Sequence, residues 1–111
     1  MPAFLWVKTI AMFYIYILLS PASGIYYVGY SNNYKARLQQ YNNSERNTFT
    51  SKHRPWILKA AFECGEVEAE AIKMERFIKK QKSRKFIERL INEDLPGGML
   101  AQLVKVPNTR D

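Results

Sequence analysis

The chain has 111 residues, 47% of them hydrophobic and 14% aromatic, enough for one domain with its own core and too short for two. Seventeen Lys and Arg against ten Asp and Glu leave a net charge of +7, which favours polyanionic partners, nucleic acid ahead of an anionic membrane surface. The single cysteine, Cys64, excludes an internal disulfide, and the single histidine, His53, excludes a Cys/His zinc cluster, so the composition reads as cytoplasmic.

Ten unbroken apolar residues run from Ile10 to Leu19, about half of a membrane span and also the length of a signal-peptide core. The first seven residues carry no Lys or Arg, and Lys8 lies inside the apolar stretch, which argues against a secretory signal. A small secreted or membrane-attached basic protein is the rival reading that this segment supports. Residues 1–11 are read as an N-terminal extension, ending at Met12, a second candidate start.

Phe13 to Leu19 is rich in Tyr, Ile and Leu, Ser20 to Gly24 is a turn cluster, and Ile25 to Tyr30 resumes a β pattern, so a hairpin is predicted. Ser31, Asn32 and Asn33 then offer helix-capping oxygens, capping being the expected job of Asn32, and Tyr34, Leu38 and Tyr41 recur at helical spacing, predicting a short helix over Tyr34 to Asn42. Asn43 to Arg54 is polar and basic and reads as a loop. Pro55 breaks the chain before the apolar run Trp56 to Cys64, the third strand. Past Gly65, Glu66, Glu68 and Glu70 crowd a first helical turn where the dipole favours them, and Val67, Ala71, Met74 and Ile78 form one apolar face. A second helix, Arg84 to Ile91, has Ser83 as its cap. Residues 93–111 read as a tail around one apolar piece, Met99 to Val106. The expected fold is α+β, a small three-stranded antiparallel sheet flanked by helices, occupying residues 12–92.

The positive charge is concentrated. Ala71 to Ile91 holds eight Lys and Arg against Glu75 and Glu88, a solvated helix face or a phosphate-binding surface. Arg46, Thr48, Thr50, Ser51, Lys52, His53 and Arg54 add cationic and hydroxyl donors in one loop, as phosphate contacts require. Arg37 stands on the shoulder of its helix's apolar stripe, and Glu75 does the same on the later helix. They could form a structural ion pair, or Glu75 could hold a divalent cation while Arg37 holds a phosphate. Cys64 ends an apolar strand and reads as buried filler, and Trp56 and Phe62 read as core.

Taken together, the sequence YIY at Tyr14 to Tyr16, a short turn, YVG at Tyr27 to Gly29, Arg37 ten residues after Tyr27, HRPW at His53 to Trp56 and a helical Glu75 followed by IKK at Ile78 to Lys80 resemble the GIY-YIG nuclease superfamily. The likeness extends from about Phe13 to Ile91 and is greatest to the small stand-alone bacterial members, which are related to an excinuclease nuclease domain. It implies a metal-dependent endonuclease that hydrolyses phosphodiester bonds in DNA, in repair or recombination, with Mg²⁺ or Mn²⁺ as cofactor, acting as a cytoplasmic monomer with DNA and no membrane as partner. A DNA-binding module of the same fold with weak or absent chemistry is the alternative. Position by position, the resemblance makes Tyr16, Tyr27, Arg37, Tyr41 and Glu75 catalytic, with Glu75 the metal ligand and Gly29 permitting close backbone approach. Lys52, His53, Arg54, Lys79, Lys80 and Lys82 are the expected nucleic-acid contacts. Tyr14 replaces the leading glycine of the motif. Some relatives also use an asparagine downstream of the glutamate, and the nearby candidate, Asn92, is distant from Glu75 in sequence.

Overall fold

In the computed structural model, which describes residues 11–43, 49–92 and 98–107, four antiparallel strands form one sheet in the order β2-β1-β3-β4. Strands β1 (Phe13–Ser20) and β2 (Ile25–Ser31) make the predicted hairpin, and β3 (Ile57–Gly65) pairs with the other edge of β1. The turn between β1 and β2 is closed by Ser23 N–H donating to Ser20 Oγ at 3.3 Å and by Gly24 at φ +68°, a left-handed conformation that costs glycine nothing.

β1 reads as an unbroken apolar run because both faces of the central strand are covered. Ile15 and Ile17 project to one side and pack with Val28, Ala60 and Phe62 against Ala71, Met74 and Ile78 of α3 (Glu68–Lys80) and Leu90 and Ile91 of α4 (Arg84–Asn92). Tyr16 and Leu18 project to the other side, where Tyr41 of α1 (Tyr34–Asn43) and Trp56 complete a second, smaller core. A single helical turn, α2 (Phe49–Lys52), lies within the predicted loop.

The third strand begins at Ile57, one residue after the predicted Trp56, and the sequence-based expectation differs from the fold elsewhere as well. The helix α1 is capped one residue later than predicted: Ala36 N–H donates to Asn33 Oδ1 at 3.1 Å, and Asn32 is exposed. The helix α3 begins at Glu68, so Glu66 precedes it and only Glu68 and Glu70 meet the positive end of its dipole. The largest difference is a fourth strand, β4 (Val104–Lys105), paired with Phe62 and Glu63 of β3. Residues 98–107 are therefore part of the fold, because a short 3-10 turn at Gly98–Leu100 brings Leu100 and Leu103 into the main core, each 1% exposed. Lys105 locks them there by donating to the Ile91 carbonyl at 2.7 Å, satisfying an acceptor at the end of α4.

Other expectations about local packing are met. Ser83 caps α4 through a 3.0 Å bond from Phe86 N–H, and Trp56 and Phe62 are buried. Cys64 is buried too, and burial pushes its thiol up to about 11, the state of an inert packing residue.

Candidate active site

The smaller face of the sheet carries the tyrosines. Tyr16 stands at the middle of β1 with Gly29 as its cross-strand neighbour on β2 and Ala61 as its neighbour on β3. Two small residues on either side let the large ring lie down over the sheet, and Tyr16 is 1% exposed. Tyr27, two residues before Gly29, projects to the same face and is half-buried. Arg37 and Tyr41 are four apart on α1, so both point at that face.

Three of these side chains share one hydrogen-bond network. The Tyr16 and Tyr41 hydroxyls are 2.7 Å apart, and Arg37 Nη2 donates to the Tyr41 hydroxyl at 3.2 Å. Tyr27 packs edge-on against the Tyr41 ring, centroids 5.3 Å apart, so Tyr41 touches all three of the others. Gln40 Oε1 accepts a further bond from Arg37 at 3.2 Å and holds the guanidinium, which lies 5.2 Å from the Tyr41 ring centroid.

Burial dominates the phenol chemistry. Tyr41 is pushed up to about 12, first by burial and then by its bond to Tyr16. Tyr16 is raised by burial, against the opposing effects of Tyr41 and Arg37. Tyr27 is raised by burial and by Tyr41, with Lys79 pulling the other way. The Arg37 guanidinium is held more firmly protonated, chiefly by the neighbouring Tyr16 hydroxyl. All three phenols are therefore neutral at pH 7 in this arrangement.

Glu75 reaches the cluster from α3, which packs against β2 on the opposite side of the sheet. Its carboxylate raises the Tyr27 phenol electrostatically and is 3.6 Å from Lys79 Nζ, its partner one helical turn on. Arg37 bonds Gln40 and Tyr41 instead, so the alternative of an Arg37–Glu75 structural pair is not realised among the described residues. Lys79 is a site member that the sequence reading placed among the surface phosphate contacts: its ammonium lies 5.3 Å from the Tyr27 ring centroid. The four-residue spacing of Glu75 and Lys79 was the available signal.

The other predicted contacts are spread out. Arg54 Nε donates to the Tyr41 carbonyl, and His53 Nδ1 is 2.8 Å from Ser23 Oγ, with its ring 6.3 Å from Trp56. This HRPW segment braces the cluster: the Asn42 side chain both donates to the Trp56 carbonyl, at 3.0 Å, and accepts from its N–H, at 2.6 Å. Lys52, Lys80 and Lys82 are exposed and make none of the cluster's hydrogen bonds or ring contacts. Arg46 and Thr48 lie outside the described residues, as do residues 1–10. Asn92 is exposed and closes α4.

No group of three or more His, Cys, Asp and Glu side chains converges among the described residues. A cation here would take one protein carboxylate, that of Glu75, whose side chain is 16% exposed and beside Tyr27. That donor set fits a hard divalent ion that keeps most of its water and completes its shell with substrate phosphate.

An antiparallel sheet with Tyr16 and Tyr27 on one hairpin, an arginine on the next helix and a glutamate on the helix beyond the third strand defines a small α+β domain. The chain belongs to the GIY-YIG family, whose members are nucleases: the family model described as the GIY-YIG catalytic domain matches residues 12–88 and so contains all five cluster residues. The chain is also similar to a UPF0213 protein of Bacillus licheniformis, at 37% identity over 92 residues that cover 83% of this chain and 92% of that protein. No helix among the described residues is long and apolar enough to cross a membrane.

Proposed function

We propose that this chain is a metal-dependent DNA endonuclease that acts on branched or damaged DNA in repair or recombination, with Tyr27 as general base, Arg37 as the phosphate-binding group and Glu75 as the metal ligand. The observation that carries the reading is the convergence of Arg37 and three phenols in contact, Tyr16, Tyr41 and Tyr27, from two strands and one helix, with a half-buried glutamate from another helix. A purely structural role explains the buried Tyr16 and Tyr41 but not a paired cation and carboxylate brought to a half-buried Tyr27.

Hydrolysis of a phosphodiester needs an activated water, a stabilised pentavalent phosphorus and a neutralised leaving oxygen. Arg37 presents its donors to the equatorial oxygens of the scissile phosphate, and Tyr41 and Gln40 keep that guanidinium from swinging away. Tyr27 is better placed than Tyr16 to take a proton from water, because Tyr16 is enclosed and its hydroxyl is committed to Tyr41. Lys79 favours the Tyr27 phenolate and orients Glu75 at once. Glu75 would hold Mg²⁺ or Mn²⁺, whose positive charge offsets charge building on the phosphate and the leaving oxygen.

The test is cleavage of plasmid, flap, splayed-arm and four-way DNA by purified protein with and without Mg²⁺, beside Glu75→Ala and Tyr27→Phe. Glu75→Ala is expected to abolish cleavage with DNA affinity intact and stability lowered by no more than about 0.5 kcal/mol, since the Lys79 pair is a partly exposed i,i+4 contact. Because the Tyr27 phenol titrates above its ordinary value of 10, fewer than about one molecule in a thousand carries the base form at pH 7, and the rate should climb roughly tenfold per unit from pH 7 to 9. Tyr27→Phe should be far slower than Tyr30→Phe. Full activity in Glu75→Ala, or equal rates for the two phenylalanine variants, would remove the residue concerned from the mechanism. DNA binding with no cleavage on any substrate would leave the binding module of the same fold.

A further inference from the structure

An open cleft of about 430 Å³ lies where β1 begins and β2 ends, lined by Phe13, Tyr30, Ser31, Asn32, Arg37 and Glu68. Five of these six residues have no part in the proposed chemistry. Arg37 is the shared wall, bonded to the phenol cluster and also facing the cleft. We propose that this cleft is a base-binding subsite, which takes one unpaired guanine of the nucleic-acid strand adjacent to the phosphate held by Arg37. The proposal rests on the nuclease reading of Arg37, and it adds what that reading leaves open, the feature of the substrate that is recognised.

The volume is in the range of small-ligand pockets and accommodates one nucleotide. Phe13 and Tyr30 form a tilted aromatic pair, centroids 6.4 Å apart, that offers a surface for stacking. The polar groups decide which base. Tyr30 donates its hydroxyl to Glu68 Oε2 at 2.9 Å, fixing the carboxylate at the rim. Ser31 Oγ accepts from Asn33 N–H at 2.9 Å and Asn33 Oδ1 caps α1, so both are committed to the backbone, whereas the exposed Asn32 lines the cleft.

A carboxylate only accepts hydrogen bonds. Guanine alone among the four DNA bases presents two adjacent donors, N1–H and the 2-amino group, on its pairing edge. Adenine and cytosine place a ring lone pair beside the amino group, and thymine places its one N–H between two carbonyls. The Asn32 amide can meet the guanine O6 acceptor. In a duplex that edge is already paired, so the base must be unpaired and unstacked to enter.

The probe is a single-stranded oligothymidylate with one central guanine, compared with strands carrying inosine, adenine or cytosine at that position. Binding to the full chain is read by fluorescence anisotropy in EDTA. Inosine lacks only the 2-amino group, so the guanine strand should bind about tenfold more tightly than the inosine strand. Glu68→Gln should erase that difference while leaving the circular dichroism spectrum unchanged, Glu68 being an exposed helix residue. Tyr30→Leu should weaken every strand, whereas Tyr30→Phe, which keeps the stacking ring, should weaken the inosine, adenine and cytosine strands by no more than about twofold. Equal binding of guanine and inosine strands, or a guanine preference that survives Glu68→Gln, would overturn the proposal. The assay needs neither metal nor cleavage, so a missing guanine preference beside intact Mg²⁺-dependent cutting rejects the subsite alone. A guanine preference in a protein that never cuts rejects the nuclease reading alone.

Discussion

Gly29 owes its place to Tyr16. A Cβ on Gly29 would lie 2.4 Å from the Tyr16 hydroxyl, far inside contact distance, so the glycine of YVG is required by the ring lying over it. Gly29→Ala must push a fully buried ring off its site. The expected cost is about 1–3 kcal/mol, as for overpacking elsewhere, with loss of the Tyr16–Tyr41 hydrogen bond and of the Arg37 alignment that depends on it. Urea denaturation and a cleavage assay check both parts, and an alanine variant of unchanged stability would mean that the ring has room to move. At this scale the sequence was legible where a motif marks a residue, as for Tyr16, Tyr27, Arg37, Tyr41 and Glu75, and illegible where two equal residues compete. Asn32 and Asn33 carry the same capping amide, and only the first residue of α1 decides which one is used.

Among the helices, α3 links the fold to the site. Its apolar face, Ala71, Met74 and Ile78, packs on the main core, and this contact sets the rotation that carries Glu75 and Lys79 to Tyr27. Its end is less well formed. Gln81 and Lys82 N–H bond back to Ile78 and Lys79 carbonyls, each at 3.2 Å, and Lys82 adopts φ +49°. A side chain in that left-handed conformation is strained, and glycine is the usual residue after a helix. Lys82→Gly should therefore raise stability by about 0.5–1 kcal/mol despite the greater chain entropy of glycine, seen as an increase in the thermal midpoint. A lower midpoint would mean that the lysine has a compensating contact. The basic character of this stretch was plain in the sequence, but its division was not: Lys79 belongs to the site and Lys80 and Lys82 to solvent.

For the whole molecule, the net charge of +7 predicts DNA affinity that falls steeply with salt. Exchanging Lys80 and Lys82 for Gln should weaken binding alike on all duplex sequences and reduce the log–log salt slope by up to about 2. Lys79 is kept out of this variant because its loss would also disturb Tyr27 and Glu75. An unchanged slope from titrations at several salt concentrations would make the two lysines a solvated face without a role in binding.

The hairpin, the third strand and the helices were readable because each is set by local chemistry: apolar runs, a turn cluster, first-turn acids and a Ser83 cap. The five candidate site residues were readable because a short motif carries them in order. The tail was not. Met99 to Val106 has too short a pattern to identify itself, and it becomes β4 only because β3 offers an unpaired edge and the main core has room for Leu100 and Leu103. The tertiary structure also decided that β1 is covered on both faces, that Arg37 meets Tyr41 while Glu75 and Lys79 come to Tyr27 from α3, and that Arg37 walls a cleft with Glu68. Sequence by itself determined which groups the chain possesses and the elements that hold them. Which of those groups meet depended on how helices from both faces pack around one sheet, since contacts between residues far apart in the chain leave no local signature.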